Sequence, residues 1–318
     1  MPKHRDQNEV VPEWLKRLRR QTGDRCFTAS GNAWIRFHKW AFMRYPPQVI
    51  SKVEKAERQE IFRKAKSLVI SYQYVPDSGE SANALLYLCS DKDYNLSKLS
   101  VNNRSKVRRG LKRLDVRRTT AHEIGKSGYQ GYFDTCARNG IAPISKRKFQ
   151  EKWEKSTEFP SRELWAAFVD DEIAAFGEVL ICGKWAELLS TKSADKYLKD
   201  YPNHALFYSI LYSVLHREGM ESISYGLSSV QAGGKKASLH HFKLSVNFDA
   251  IPVVRRIELN PFLRPLFNKA TIKCANLLGR LLPKSRHILA ARGAFELLAN
   301  ENERNLEQLK ENDLVSGL

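Results

Sequence analysis

Two stretches of this sequence gather side chains that could hold an anionic group. The first is LSSVQAGGKK, Leu227–Lys236, where Ser228, Ser229 and Gln231 supply polar side chains, Gly233 and Gly234 leave backbone N–H groups accessible, and Lys235 and Lys236 add two ammonium charges. Paired glycines followed by lysines suit close approach to a phosphate-like group. The same composition also suits an ordinary basic surface loop. The second stretch is NNRSKVRRGLKRLDVRR, Asn102–Arg118, with eight basic residues against one acid, Asp115. Val107, Leu111 and Leu114 recur at i, i+4 and i+7, which predicts a helix with one apolar edge. Arg104, Lys106, Arg108, Arg109, Lys112 and Arg113 then crowd its remaining surface. Like charges at helical spacing repel, so an anionic partner would stabilise this helix. A solvated helix in a basic protein is the alternative.

The elements around the first stretch place it at the carboxyl end of a strand, where α/β sheets put their ligands. A helix over Ala205–Leu215, apolar on nearly every face and stopped by Gly219, must be buried. The predicted strand Ser222–Tyr225 follows and ends at Gly226. After the loop, Ser238 can cap a helix whose inward face carries Leu239, Phe242 and Val246, with Lys243 on the side of Leu239. A strand over Ile251–Leu259 closes the unit.

Earlier in the chain, a basic helix is expected over Glu13–Gln21. The aromatic-rich segment Ala33–Tyr45 reads as core. A charged helix, Ser51–Lys66, leads to strands Ser67–Val75 and Ala84–Cys89. After the basic run, a helix is expected near Tyr129–Asn139 and another over 145–155. Strands Leu164–Val169 and Ile173–Leu180 flank an Asp170-Asp171 turn, and a third strand spans Lys184–Ser193. The segment Leu266–Leu282 is amphipathic; it could lie on an anionic membrane or pack on its own protein. From Asn300 the chain is polar and helix-prone, and a flexible tail is expected.

Composition narrows the class. At 318 residues, with 42% apolar and 28% charged, the chain can bury a large core, and at about 100–200 residues per domain two units are expected. The longest apolar run is too short to span a bilayer and no secretory signal opens the sequence, so a cytoplasmic protein without an integral membrane segment is expected. Five scattered cysteines form no C-x-x-C pair, and eight histidines form no metal-like pattern, so no metal is expected. The formal charge of +18 predicts attraction to polyanions such as RNA, anionic lipid or phosphate-bearing substrates, without choosing among them.

The run HHFKLSVNFDAIPV, with Phe242-Lys243 followed by Phe248, resembles the C-terminal half of a GNAT-fold domain of the FemAB-like kind. The basic run resembles the arginine- and lysine-rich helix of the form S-x-x-x-R-x-x-x-R-x-x-x that links the two GNAT-like halves of those proteins. The resemblance covers residues 60 to 260 as an order of elements, and Tyr201–Asn260 as sequence. It implies an α/β (α+β) fold of tandem GNAT-like domains, with mixed, mostly antiparallel sheets flanked by helices. Residues 1–125 would form a degenerate N-terminal domain and 126–262 a C-terminal domain, followed by a helical extension and tail over 263–318.

The resemblance also implies acyl transfer to an amine. Such chemistry deprotonates the amine, stabilises a tetrahedral oxyanion and protonates the leaving group. Lys243 takes charge stabilisation, the role carried by the Phe-Lys pair in FemAB-like proteins. Tyr225 is the candidate proton donor to the leaving group, and Glu187 the candidate base by its place in the GNAT order. Each has a structural alternative: a solvent-facing lysine, a buried hydrogen-bonded tyrosine, a solvent-facing carboxylate. Donor binding falls to Arg104, Lys106, Arg108, Arg109, Ser228, Gly233, Gly234, Lys235, Lys236 and Phe242. One departure bears on the donor. The usual coenzyme A loop, R/Q-x-x-G-x-G/A, has no counterpart in Ser193–His204, which lacks glycine altogether. FemAB-like enzymes using aminoacyl-tRNA also lack it, so the co-substrate is acyl-CoA or aminoacyl-tRNA. The partners implied are an acyl donor, an amine acceptor and tRNA, and the rival reading is a catalytically silent RNA- or polyanion-binding protein.

Overall fold

The structure, a computed structural model, describes residues 13–22, 26–156, 160–227, 236–266 and 273. In its first part lie α1 (Glu13–Thr22), β1 (Cys26–Ala29), β2 (Asn32–His38), β3 (Ala41–Tyr45), α2 (Lys55–Lys64), β4 (Val69–Tyr74) and β5 (Ala84–Cys89). Next come α3 (Val101–Arg113), β6 (Asp115–Thr119), α4 (Ala121–Ser127), α5 (Tyr129–Arg138) and α6 (Lys146–Glu154). The last part holds β7 (Arg162–Val169), β8 (Glu172–Cys182), β9 (Trp185–Ser193), α7 (Pro202–Leu215), β10 (Ser222–Leu227), α8 (Lys236–Ser245) and β11 (Asp249–Leu259).

The strands join in the order β1-β2-β3-β4-β11-β5-β10-β9-β8-β7-β6. Only β3/β4 and β9/β10 are parallel. A parallel pair needs a crossover connection, and α2 and α7 supply the two. One unit therefore occurs twice: three antiparallel strands, a helix, and a strand parallel to the third. The strand after each unit crosses over, so β5 pairs with β10 and β11 pairs with β4. The length of β11 allows this, since Asp249–Val253 pair with β5 and Val254–Leu259 with β4.

Packing follows the apolar patterning. Ala205, Leu206, Phe207, Ile210, Leu211, Val214 and Leu215 of α7 are all buried, in one core with Ala186 and Leu188 of β9 and Tyr87 of β5. Burying each large side chain contributes about 1.5–3 kcal/mol. A second cluster joins the two units: Leu180 and Cys182 of β8 pack with Leu15 and Leu18 of α1, Cys26 and Tyr45.

Three expectations change. The aromatic segment is a β-hairpin; Trp34 and Phe42 are buried, but Phe37, at the register slip between Arg36 and His38, and Trp40, in the turn, are about half exposed, because neither keeps the regular alternation that buries strand side chains. The basic helix ends at Arg113, and Asp115–Thr119 continues as a strand paired with β7. Its apolar edge is Val107 with Gly110, while Leu111 is exposed. Helix α4 goes unpredicted although Thr120 and Glu123 close a capping box at its start, a T-x-x-E signal present in the sequence. Apart from Leu266 and Lys273, the stretch 266–282 and the tail lie outside the described residues. No helix among the described residues is long and apolar enough to cross a membrane.

Gly110 sits where α3 meets α7; a Cβ there would lie 2.9 Å from the Ala205 Cβ and 3.1 Å from the Tyr201 carbonyl oxygen. Gly110→Ala should gain up to about 1 kcal/mol of helix propensity and lose about 1–3 kcal/mol to the clash. Thermal unfolding should show a net decrease in melting temperature; an increase would mean that α3 can withdraw from α7 freely.

Candidate active site

The site begins where β9 and β10 part. They pair through Ser222–Trp185, Ile223–Ala186 and Ser224–Glu187, and no further, although both strands continue. On its other side β10 slips register against β5 between Ser224 and Leu227. Gly226 lies within that slip at φ +65°, a conformation that glycine adopts without strain. The opening is spanned by side chains: the Tyr225 hydroxyl and Thr191 Oγ1 are 3.1 Å apart.

Lys243 enters this region from α8. Leu239 is exposed, contrary to expectation, while Lys243 is 5% exposed. Its Nζ donates to the Tyr225 carbonyl oxygen at 3.2 Å. It also lies 3.8 Å from the Tyr87 ring centroid and 4.6 Å from that of Tyr225. Cation–π attraction reaches about 2 kcal/mol when desolvated, which helps offset the burial of the charge. Burial still pulls the Lys243 pKa down to about 8. The Tyr87 hydroxyl in turn meets His240 Nδ1 at 2.7 Å.

Glu187 stands on the opposite face of β9 from Ala186 and Leu188, which join the α7 core. It faces the Tyr45 hydroxyl of the first unit, close enough for that hydroxyl to favour its charge, and its Oε2 is sealed from solvent with no well-formed hydrogen bond. Burial pushes its pKa up to about 7. A Cβ on Gly226 would lie 3.9 Å from Glu187 Oε1. The Tyr225–Gly226 segment thus has Lys243 on its carbonyl and Glu187 beside its glycine. Burial also raises the Tyr225 pKa, keeping its hydroxyl protonated at neutral pH.

The basic run divides by role. Arg104 is spent on the carbonyl oxygens of Leu96, Ser97 and Leu99. Arg109 donates to the Tyr201 hydroxyl at 3.1 Å and stacks 4.5 Å over its ring. Arg113 pairs with Asp200, and Arg108 stays exposed. Tyr201 is the left-handed N-cap of α7, which starts with Pro202 and has no side-chain cap. Nearby, burial and the adjacent Lys106 lower the His204 pKa to about 4. The Phe242 ring is edge-on to His204 at 5.2 Å and to Phe207 at 4.9 Å. Lys106, Arg109 and Phe242 thus gather at the start of α7, one residue from Lys243. Ser228, Gly233, Gly234 and Lys235 lie outside the described residues, and Lys236 is the first residue of α8.

Sequence reasoning did not find Tyr87, Thr191, Tyr45 or His204. Each reaches the site through a strand pairing or helix start far away in the chain, and no local spacing marks it. Among the described residues no group of three or more His, Cys, Asp or Glu is arranged to hold a metal ion.

No family model and no curated protein matches the chain by sequence. The fold does have counterparts. The crystal structure of FemX superposes with a TM-score of 0.52 at 12% identity, covering 81% of this chain and 93% of FemX. The C-terminal domain of a putative lysylphosphatidylglycerol synthetase from Agrobacterium fabrum gives 0.45 at 14% identity, covering 78% and 88%. A tandem GNAT protein from the clavulanic acid biosynthesis pathway gives 0.39 at 9%, covering 73% and 81%. The chain has a FemX-type fold, a mixed sheet flanked by helices, as the sequence resemblance implied.

The raised Glu187 pKa gives a stability prediction with a definite sign. The folded state holds this proton up to about pH 7 and the unfolded chain releases it near 4.5, so the favourable contribution is full below 4.5 and is lost as pH rises through 7. Glu187→Gln should remove that loss and stabilise the protein at pH 8 by up to about 3 kcal/mol. Denaturant unfolding of both proteins at pH 5 and pH 8 measures this; equal stability at pH 8 would mean that Glu187 is not desolvated.

Proposed function

We propose that this protein transfers an acyl or aminoacyl group to an amine at the opening between β9 and β10. The observation that carries the reading is the placement of Lys243 and Glu187 about the Tyr225–Gly226 segment, one a buried ammonium and the other a buried carboxylate. Glu187 takes a proton from the attacking amine, and the new N–C bond gives a tetrahedral oxyanion. Lys243 stabilises the negative charge, a service worth about 2.7–4 kcal/mol for a comparable donor in other acyl transfers. As the C–S or C–O bond of the donor breaks, the Tyr225 hydroxyl protonates the leaving atom and recovers its proton from solvent, while Glu187 returns to solvent the proton it took. The net reaction moves one amine proton to the leaving group, and an amine that arrives as ammonium releases one further proton to solvent before it attacks.

The donor is acyl-CoA or aminoacyl-tRNA. Both carry phosphates, and Lys106 and Arg109 beside the uncapped start of α7 suit such groups. The run ahead of α7 lacks the glycines with which the usual coenzyme A loop wraps a pyrophosphate, and this favours aminoacyl-tRNA. Plain polyanion binding would need the charge of α3 but not Lys243 within its tyrosine pair.

Activity should follow a narrow bell, rising with pH as Glu187 ionises near 7 and falling as Lys243 loses its proton near 8. Lys243→Ala should cost about 100-fold or more in transfer and abolish the alkaline limb. The donor is identified by melting temperature with acetyl-CoA, aminoacylated tRNA or uncharged tRNA at two salt concentrations. A shift with acetyl-CoA that survives added salt assigns a coenzyme A donor, and a shift requiring charged tRNA assigns the aminoacyl donor. Equal shifts with charged and uncharged tRNA, together with full activity of Lys243→Ala, would sink the transferase reading.

A further inference from the structure

Five buried side-chain polar atoms among the described residues lack a well-formed hydrogen bond, and four of them, Tyr45 Oη, Gln48 Oε1, Glu187 Oε2 and Ser224 Oγ, belong to Glu187 or to residues that contact or pair with Ala186–Glu187 of β9. Their placement is independently fixed. Gln48 Nε2 donates to the Ala186 carbonyl oxygen at 2.7 Å, which commits the amide nitrogen and leaves Oε1 as a free acceptor. Ser224 is directly paired with Glu187 across parallel strands, so both side chains lie on the same face of the sheet. The Tyr45 hydroxyl lies within hydrogen-bonding reach of the Glu187 carboxylate and the Cys182 thiol, without the geometry of a well-formed bond to either, so an incoming donor can compete for it. An unmet buried polar group costs about 1–3 kcal/mol. Four at one place mark a binding recess better than an accident of packing.

We propose that Tyr45, Gln48, Ser224 and Glu187 form a recess for the ammonium group of a cationic primary amine. The chemistry of the lining selects this class. The amide oxygen and carboxylate accept only, the two hydroxyls can accept, and an –NH3+ group brings three donors and a positive charge. Two of the four residues, Tyr45 and Gln48, come from the first unit, so recognition of the amine requires both. Gln48, Glu187 and Gly226 are partly exposed and form the rim by which the amine reaches the buried atoms. As the acceptor site for the transfer proposed above, the recess rests on that reading, but binding can be measured without transfer. The protein's charge of +18 repels cations in general, so retention of a small cationic amine requires a local acceptor set.

The test compares putrescine with 1,4-butanediol, a neutral molecule of the same length, by calorimetry on the full chain at pH 8. Putrescine should bind and butanediol should not. Gln48→Leu and Tyr45→Phe should each weaken putrescine binding, the first by about tenfold or more, as expected for loss of a hydrogen bond to a charged group. If Gln48→Leu does not fold, Tyr45→Phe decides alone, since it removes one hydroxyl and keeps the ring. Equal heats from the two ligands, or wild-type putrescine affinity in a folded variant, would overturn the recess. Specific putrescine binding by a protein that transfers nothing would keep the recess and remove the transferase reading.

Discussion

A lysine ammonium can be buried only if neighbouring groups replace its water, and the site depends on how that is done for Lys243. Its partners are the Tyr87 ring, the Tyr225 ring and the Tyr225 carbonyl oxygen. Tyr87 belongs to β5 and Tyr225 to β10, and the two strands are neighbours only because each unit sends its last strand into the other. A pair of independent units, each keeping its own strands, would leave Lys243 without the ring that lies nearest to it. Strand exchange therefore builds the surroundings of Lys243, and the length of β11, which pairs with β5 at one end and β4 at the other, holds it in place.

Burial acts on the two charged groups in opposite directions. It raises the Glu187 pKa to about 7 and lowers that of Lys243 to about 8, so each approaches the range where it can exchange a proton near neutrality. Neither group has a strong ion-pair partner to pull it back. Glu163 is different: Arg217 and Arg118 hold it low, although burial alone would raise it. The unpaired Glu187 charge also carries a stability cost, because it is tolerated by the fold and not stabilised by it.

Much of the fold was legible in the sequence. The buried helix α7 could be read from its apolar run, the hairpin of β7 and β8 from Asp170-Asp171, and the place of Lys243 and Glu187 from the order of elements. What could not be read was the partner set. Tyr87 and Lys243 are far apart in the chain and meet through strand exchange, which periodicity does not encode. Leu239 is expected inward because it shares a helical face with Phe242 and Val246; the structure turns Leu239 outward and Lys243 inward, which tertiary packing decides. Gly110 gives no apolar signal, yet it is the closest approach of α3 to α7, so the stripe seemed to run through Leu111.

The basic helix shows why composition leaves function open. From sequence alone its cations are equivalent, and their repulsion calls for an anion. Packing makes them unequal: Arg104 satisfies three carbonyl oxygens, Arg113 meets Asp200, and Arg109 is laid on Tyr201. Much of the apparent demand for an anionic partner is thereby met within the protein. Burial, with Lys106 alongside, lowers the His204 pKa to about 4, so the His204 ring is neutral while the surrounding cations are not. Long-range attraction of a polyanion can come from the whole charge of +18, but orientation has to come from the few cations fixed next to α7. Those are the cations that adjoin Phe242 and, through it, Lys243, so in the proposed transfer a phosphate-bearing donor held by them would bring its acyl group beside Lys243.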